Sequence, residues 1–145
     1  MATIKRFEDL ELWQGARAFV QEVYTVSSNG RFSRDLVLRD QIRRAAISMM
    51  ANIAEGFSRR SNREFAQFLF IAKASAAETQ SHLYVALDQG YVNEKQFRFL
   101  YECTETYARK VSALITYLLR GKRPPTQQTQ QTQQTQQTQQ TQQTQ

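Results

Sequence analysis

Glycine and proline residues divide this chain into four segments, and that division limits what it can fold into. Five glycines lie at positions 15, 30, 56, 90 and 121, and the only prolines are Pro124 and Pro125. Glycine commonly follows the last turn of a helix, and proline is excluded from helix interiors. The last four glycines therefore predict the ends of four helices, over about residues 7–28, 33–55, 61–89 and 93–120.

Apolar residues recur at helical spacing in each segment. The stripes include Leu12, Ala16, Phe19 and Val23, then Leu38, Ile42, Met49 and Ile53, then Phe65, Leu69, Ala72 and Leu83, and finally Leu100, Thr104, Val111 and Ile115. Ser61 with Glu64 and Asn93 with Gln96 are spaced as capping boxes at the starts of the third and fourth helices. Four amphipathic helices with short connections predict an all-α fold, an antiparallel up-down-up-down four-helix bundle.

The last part of the sequence has a different composition. After Pro124 and Pro125 it consists of Thr-Gln-Gln repeats, which are uncharged and contain no apolar residue. Such a tract cannot bury enough surface to offset its ordering entropy, so we expect a disordered tail or a frayed helix. The predicted organisation is a bundle over residues 1–123 and a low-complexity tail over residues 124–145. The tail is either a repeat expansion without a function or a segment that self-associates through glutamine amides.

Two predicted helices carry more apolar residues than one core-facing stripe needs. The extra apolar residues are Ile47, Met50, Ala51 and Ala54 in the second helix and Phe70, Ala74, Ala77, Tyr84 and Val85 in the third. The polar strips left on these helices contain Arg44, Ser48, Asn52 and Glu55 in the second and Glu78 in the third. In a monomer the extra faces would form an exposed apolar patch, and such patches mark interfaces. We therefore expect a homo-oligomer, with the extra apolar residues at its interface.

Basic residues gather at both ends of the predicted bundle. The net charge of +6 favours acidic partners such as nucleic acid. An up-down bundle brings the N-terminus, the second connection and the C-terminus to one end. The candidate nucleic-acid-binding residues at that end are Arg59, Arg60, Arg63, Arg120, Lys122 and Arg123. A second basic run at the opposite end comprises Arg31, Arg34, Arg39, Arg43 and Arg44.

Other residues qualify this basic pattern. Phe57 lies in the same connection as Arg59 and is a candidate for stacking on nucleic-acid bases. Asp35 and Asp40 partly neutralise the second basic run, and Asp40 and Arg44 are spaced to form an ion pair. Each arginine is therefore either a phosphate contact or a solvated or salt-bridged surface residue.

The sequence offers few residues for catalysis or metal binding. His82 is the only histidine and Cys103 the only cysteine, whereas catalytic triads and structural metal sites need several such residues. No glycine-rich phosphate-binding loop occurs. We therefore expect no enzymatic activity, no cofactor, no metal and no small-molecule substrate. A signal-peptide core and a long apolar run are missing as well, so we expect a cytoplasmic protein without membrane association.

Several motifs of the chain resemble one protein family in the same order. They are 7–13 (FEDLELW), 41–48 (QIRRAAIS), 52–56 (NIAEG), 61–65 (SNREF) and 68–78 (FLFIAKASAAE). This pattern resembles the four-helix-bundle family encoded in intervening sequences of bacterial 23S ribosomal RNA genes. The resemblance implies a cytoplasmic bacterial protein that assembles as a ring, with five subunits, and whose biochemical role is poorly defined. Related accessory proteins of diversity-generating retroelements bind nucleic acid and a reverse transcriptase.

The chain departs from that family at two places. Met49 and Met50 stand where family members often have Ile-Pro, and this change is expected to straighten the second helix. The Thr-Gln-Gln tail has no counterpart in the family. Two hypotheses for function follow: a homo-oligomer that binds nucleic acid, with RNA the first candidate, or a protein-interaction scaffold such as an accessory subunit of a reverse transcriptase.

Overall fold

A computed structural model describes residues 3–121, which form four long helices and two short ones. A 3-10 helix spans Phe7–Asp9, and the α-helices are α1 (Glu11–Ser27), α2 (Gly30–Arg34), α3 (Leu36–Phe57), α4 (Asn62–Asp88) and α5 (Glu94–Leu119). No strand occurs within this described range, so the all-α prediction is confirmed. The predicted tail, together with Lys122 and Arg123, lies outside the described residues.

The four long helices are arranged as an up-down-up-down bundle. Helix α1 contacts α3 and α5, and α4 contacts the same two helices from the other side. Side-chain contacts fix the directions, because the end of α1 meets the start of α3 through Ser27 and Arg43, and the end of α3 meets the start of α4 through Phe57 and Phe65. The N-terminus, the α3–α4 connection and the end of α5 therefore share one end of the bundle.

The predicted second helix is in fact two helices. Asp35 separates α2 from α3, and its carboxylate caps α3 by accepting from the Leu38 amide at 3.1 Å. The same carboxylate accepts from the Tyr91 hydroxyl at 2.9 Å, which links the start of α3 to the α4–α5 connection. Both hydrogen bonds favour the charged form and hold the pKa of Asp35 below its usual value. Helix α3 then runs unbroken through Met49 and Met50.

The two predicted capping boxes differ in how completely they form. At α5, Asn93 accepts from the Gln96 amide and Gln96 accepts from the Asn93 amide, as predicted. At α4, Ser61 Oγ accepts from the Glu64 amide at 3.1 Å, but the Glu64 carboxylate accepts from the Ser61 hydroxyl instead of the Ser61 amide. Of the two predicted boxes, the Asn93–Gln96 box is therefore the reciprocal one.

Gly56 does not end a helix, contrary to the prediction. It is buried one residue before the end of α3, and a Cβ atom there would lie 2.7 Å from Phe65 Cδ2 and 2.8 Å from Phe68 Cβ. Glycine is needed because α3 and α4 approach each other too closely for any side chain. Gly90 and Gly121 do follow helix ends, with φ angles of +72° and +81°.

The core lies between the four long helices and contains the predicted stripes. Ile42, Ile53, Phe65, Leu69 and Leu83 are fully buried. Several buried residues lie outside the predicted stripes, among them Phe32, Val92 and Tyr107. The Tyr107 hydroxyl donates to the Met49 carbonyl at 2.7 Å, and burial raises the pKa of this tyrosine. None of the helices in the described range is both long enough and apolar enough to cross a membrane.

Candidate nucleic-acid interface

The α3–α4 connection and the end of α5 meet at one end of the bundle and gather the first set of predicted basic residues. The Asn62 side chain at the start of α4 donates to the Leu118 carbonyl near the end of α5, with 3.4 Å between the atoms. Arg59, Arg60 and Arg63 surround the start of α4, and Arg120 follows α5. All four arginines are exposed, so their guanidinium groups can be reached from solvent.

Arg59 is oriented by contacts with α3 and α4. Its guanidinium donates to Glu55 at 3.1 Å and lies 4.8 Å from the centre of the Phe68 ring. About half of the Arg59 side chain is nevertheless accessible. Glu55 is accessible too, so an approaching phosphate can compete for the guanidinium with the Glu55 carboxylate. Because these contacts already orient the guanidinium, the Arg59 side chain would lose less entropy when it binds a phosphate.

Phe57 is less available for stacking than the sequence predicted. It is the last residue of α3 instead of a connection residue, and its ring packs edge-on against buried Phe65 with 6.1 Å between centroids. The ring is half-buried against the core. The prediction missed this because a residue two positions before Arg59 looks exposed in the sequence, whereas the last turn of α3 still faces α4.

Acidic residues at this end offset only part of the positive charge. Arg6 is paired with Glu8, and Asp9 accepts from the amides of Lys5 and Arg6, which lowers its pKa. Within the described range, the basic side chains here are Lys5, Arg6, Arg59, Arg60, Arg63 and Arg120, and the acidic ones are Glu8, Asp9, Glu11, Glu55 and Glu64. The balance at this end is therefore positive.

The second basic run contains two arginines that hold the fold together. Arg43 donates to Ser27 at 2.8 Å and to Ser28 at 3.2 Å, and its guanidinium lies 4.3 Å from the centre of the Tyr24 ring. Arg39 donates to the Ser33 carbonyl at 3.1 Å and to Asp40 at 3.2 Å. The predicted pair of Asp40 with Arg44 is thus replaced by a pair with Arg39.

Three arginines of this run are exposed, namely Arg31, Arg34 and Arg44. Arg31 lies 5.4 Å from the centre of the Tyr91 ring. Because Arg39 and Arg43 are engaged in the fold, fewer arginines at this end can contact a ligand than the sequence predicted. The other end of the bundle, with Arg59, Arg60, Arg63 and Arg120, is therefore the better candidate interface.

Two residues of the predicted polar strip of α3, Ser48 and Asn52, lie along the seam with α4. The hydroxyls of Ser48 and Ser75 are 2.7 Å apart, and the Asn52 amide donates to Ser48 Oγ at 2.9 Å. These bonds satisfy polar groups between two closely packed helices, which is a structural role. Glu55 contacts Arg59 as described, and Glu78 lies 3.3 Å from His82 on α4.

The predicted extra apolar faces divide into exposed and half-buried parts. Ile47, Ala51, Phe70, Ala74 and Ala77 are exposed on the outer surfaces of α3 and α4, as predicted. Met50 and Ala54 are half-buried, and Met50 packs against the core.

Tyr84 and Ile71 differ from the prediction for this outer surface. Tyr84 is half exposed but packs against Phe97 and Tyr101 of α5, with ring centroids 4.9 and 5.8 Å apart. Ile71 is 50% exposed beside Phe70, which is 54% exposed. Ile71 is not among the extra apolar residues that the sequence predicted. Adjacent residues of a helix point in different directions, so Phe70 and Ile71 cannot both lie on one core-facing stripe.

Comparisons with known proteins agree with the fold. The sequence profile described as "23S rRNA-intervening sequence protein" matches residues 8–113. A crystal structure of a protein of unknown function from the S23 ribosomal protein family of Bacteroides thetaiotaomicron superposes with a TM-score of 0.67 at 22% identity. The match covers 72% of this chain and 97% of the Bacteroides chain, which shows a shared fold. No curated protein matches the sequence.

Proposed function

The chain belongs to the 23S rRNA-intervening sequence protein family, and from this premise we propose that it is a non-enzymatic homo-oligomer that binds nucleic acid. The observation that carries the proposal is the group of exposed arginines at the start of α4, Arg59, Arg60 and Arg63, with Arg120 beside them. Guanidinium groups pair with phosphate oxygens in a bidentate manner, and the amide end of a helix adds positive potential. RNA is the first candidate because the family name refers to ribosomal RNA.

Oligomerisation is the second part of the proposal. Phe70, Ile71, Ala74 and Ala77 form an exposed apolar surface on α4, and α3 adds Ile47 and Ala51. A second copy that covered this surface would remove it from water. A symmetric ring, with five subunits as the family resemblance implies, would repeat the basic end around its axis and multiply the phosphate contacts.

Binding rather than catalysis is the third part. His82, the only histidine of the sequence, is held on the surface of α4 beside Glu78. Within residues 3–121, no group of three or more His, Cys, Asp or Glu side chains is placed to hold a metal ion.

Fluorescence anisotropy with a labelled single-stranded RNA of about 20 nucleotides tests the nucleic-acid proposal. We expect the affinity of the unmodified protein to fall steeply between 50 and 200 mM salt, as counterion release requires. Arg59→Glu combined with Arg60→Glu should weaken binding at least tenfold at low salt. It should also reduce the slope of log K against log salt by about 1.4 per subunit, because two phosphate contacts are lost.

Arg98→Glu combined with Arg109→Glu is the matched control. Both residues are exposed on α5, and the double change alters the net charge by the same amount. An equal loss of affinity in the control would show that overall charge, and not the basic end, drives binding. Absence of RNA and DNA binding by the unmodified protein at 50 mM salt would overturn the proposal.

Light scattering tests the oligomer separately. We expect the molar mass of the unmodified protein to exceed the 16.9 kDa of one chain. Ala74→Glu should lower the molar mass towards that of the monomer, because this substitution places a carboxylate in the middle of the apolar surface of α4. Ala113→Glu on α5 is the control, since Ala113 is also an exposed helical alanine. A monomeric unmodified protein at micromolar concentration would refute this part.

A further inference from the structure

The bundle has an open groove between α1 and α5 that the proposed nucleic-acid interface does not use. The groove has a volume of about 460 Å³. Its floor is apolar and includes Ala16, Phe19, Met49 and Tyr107, which are buried in the core, together with half-buried Leu12. It extends from Glu11 to Glu22 on α1, which at 1.5 Å per residue is about 16 Å, or three helical turns.

The rim of the groove is acidic although the protein as a whole is basic. Glu11, Glu22 and Glu102 line it, and Lys110 is its one basic residue. The net charge of the chain is +6, so this negative rim stands out against its surroundings. Burial raises the pKa of the Cys103 thiol, and the negative charges of Glu22 and Glu102 act in the same direction. A negative rim repels nucleic acid and attracts a cationic ligand.

Gly15 keeps the groove open at its middle. It lies inside α1 at an exposed position, and a Cβ atom there would meet no atom within 4 Å. A glycine within a helix destabilises that helix relative to alanine. Unlike Gly56, Gly15 has no neighbour in the fold that requires a glycine. An occupant of the groove that came close to the α1 backbone would require one.

We propose that the groove between α1 and α5 binds an amphipathic helix of a protein partner, with apolar residues against the floor and Lys or Arg residues beside Glu22 and Glu102. Two antiparallel helices with an apolar floor between them offer the shape of a helix-binding groove, and about three turns of a partner helix would fill its length. The acidic rim then selects a basic helix and rejects an acidic one.

Two other occupants fit less well. The Thr-Gln-Gln tail of this chain has no apolar side chain to place on the floor. A second copy that offered the apolar surface of α4 would bring exposed Lys73 and exposed Glu78 towards the acidic rim, and their charges offset each other. A helix with several Lys or Arg residues is the better match for that rim.

Peptide binding measured by fluorescence anisotropy tests the proposal. The probe is a labelled 14-residue helical peptide with leucines on one face and lysines on the other, and the control peptide has glutamates in place of the lysines. We expect the unmodified protein to bind the basic peptide more tightly than the acidic one. Glu22→Lys combined with Glu102→Lys should reverse that preference, with an affinity for the basic peptide lowered by about tenfold.

Gly15→Leu should block the groove while the fold is kept, because its side chain enters open space and leucine favours helix. We expect at least tenfold weaker binding of the basic peptide to Gly15→Leu, and a smaller loss of binding to Gly15→Ala, which adds only one methyl group at the place where the occupant approaches the α1 backbone. Unchanged binding to Gly15→Leu, or equal binding of both peptides to the unmodified protein, would overturn the proposal. A lower molar mass of Gly15→Leu than of Gly15→Ala in light scattering would also overturn the proposal. It would show that a second copy of this chain covers the groove.

Discussion

Two helix pairs of this bundle are packed in opposite ways. Helices α3 and α4 lie so close that Gly56 has no room for a Cβ atom, and serine hydroxyls 2.7 Å apart join their seam. Helices α1 and α5 leave a groove of about 460 Å³ between them, and Gly15 on its wall has open space around it. Tight packing on one side can stabilise the fold, and the open side is the surface that we propose for partner binding. The same residue type, glycine, therefore has opposite surroundings in the two pairs.

The largest expected difference between the two helix pairs is the loss of stability when a phenylalanine of each pair is replaced by alanine. Phe65 of α4 is completely buried, and Phe65→Ala should lower the free energy of unfolding by about 3–5 kcal/mol through lost burial and a cavity. Phe99 on the groove is 53% exposed, so Phe99→Ala should cost less than about 1 kcal/mol. Urea unfolding followed by circular dichroism measures both values. Equal costs would show that the groove closes in solution.

The two glycines give a second test, in which the same substitution should have opposite signs. Gly56→Ala should destabilise the protein by about 1–3 kcal/mol, because the rigid Phe68 Cβ atom forces α3 and α4 apart. Gly15→Ala should stabilise it by about 0.8–1 kcal/mol, because alanine is the better helix former and meets no neighbour. Thermal unfolding of both variants checks the signs. A stabilised Gly56→Ala protein would show that the close approach of α3 and α4 is not maintained.

The smallest expected effect concerns pH at the start of α3. The pKa of Asp35 is lowered in the folded protein by the Leu38 amide and the Tyr91 hydroxyl. A lowered folded-state pKa contributes stability that is present above the unfolded-state value, near 3.8, and is lost as pH falls through the folded-state value.

Asp35→Asn should therefore flatten the acid side of a plot of stability against pH and should leave its slope near neutral pH unchanged. Asp40→Asn is a suitable control, because Asp40 is an exposed carboxylate that pairs with Arg39. Chemical unfolding at a series of pH values from 2 to 7 provides the measurement. An acid side as steep in Asp35→Asn as in the unmodified protein would contradict the assignment.

The sequence predicted the helices and the core better than the surfaces. Ile42, Phe65 and Leu83 recur at helical spacing, and burial follows from that spacing because each long helix has one side against the others. Gly56 was misinterpreted because glycine both ends helices and permits close helix approach, and only the position of α4 distinguishes these roles. Tyr107 was missed because its hydroxyl looks polar until the Met49 carbonyl is found opposite it.

The candidate site was harder to predict, for reasons of three-dimensional contact. Arg43 and Arg44 are adjacent and of the same type, yet Arg43 is engaged with Ser27 of α1 and Arg44 is exposed. The partner of Arg43 lies in another helix, so no local pattern separates the two. The groove between α1 and α5 depends on how far two helices stand apart, and helical periodicity carries no information about that distance.

The central claim is that the basic end and the groove are independent binding surfaces of one bundle. The most direct test is anisotropy with two probes, the labelled RNA and the basic helical peptide, on Arg59→Glu with Arg60→Glu and on Gly15→Leu. Our account predicts that the arginine variant loses RNA binding and keeps peptide binding, and that Gly15→Leu does the reverse. Loss of both activities together in either variant, with the fold intact by circular dichroism, would contradict it.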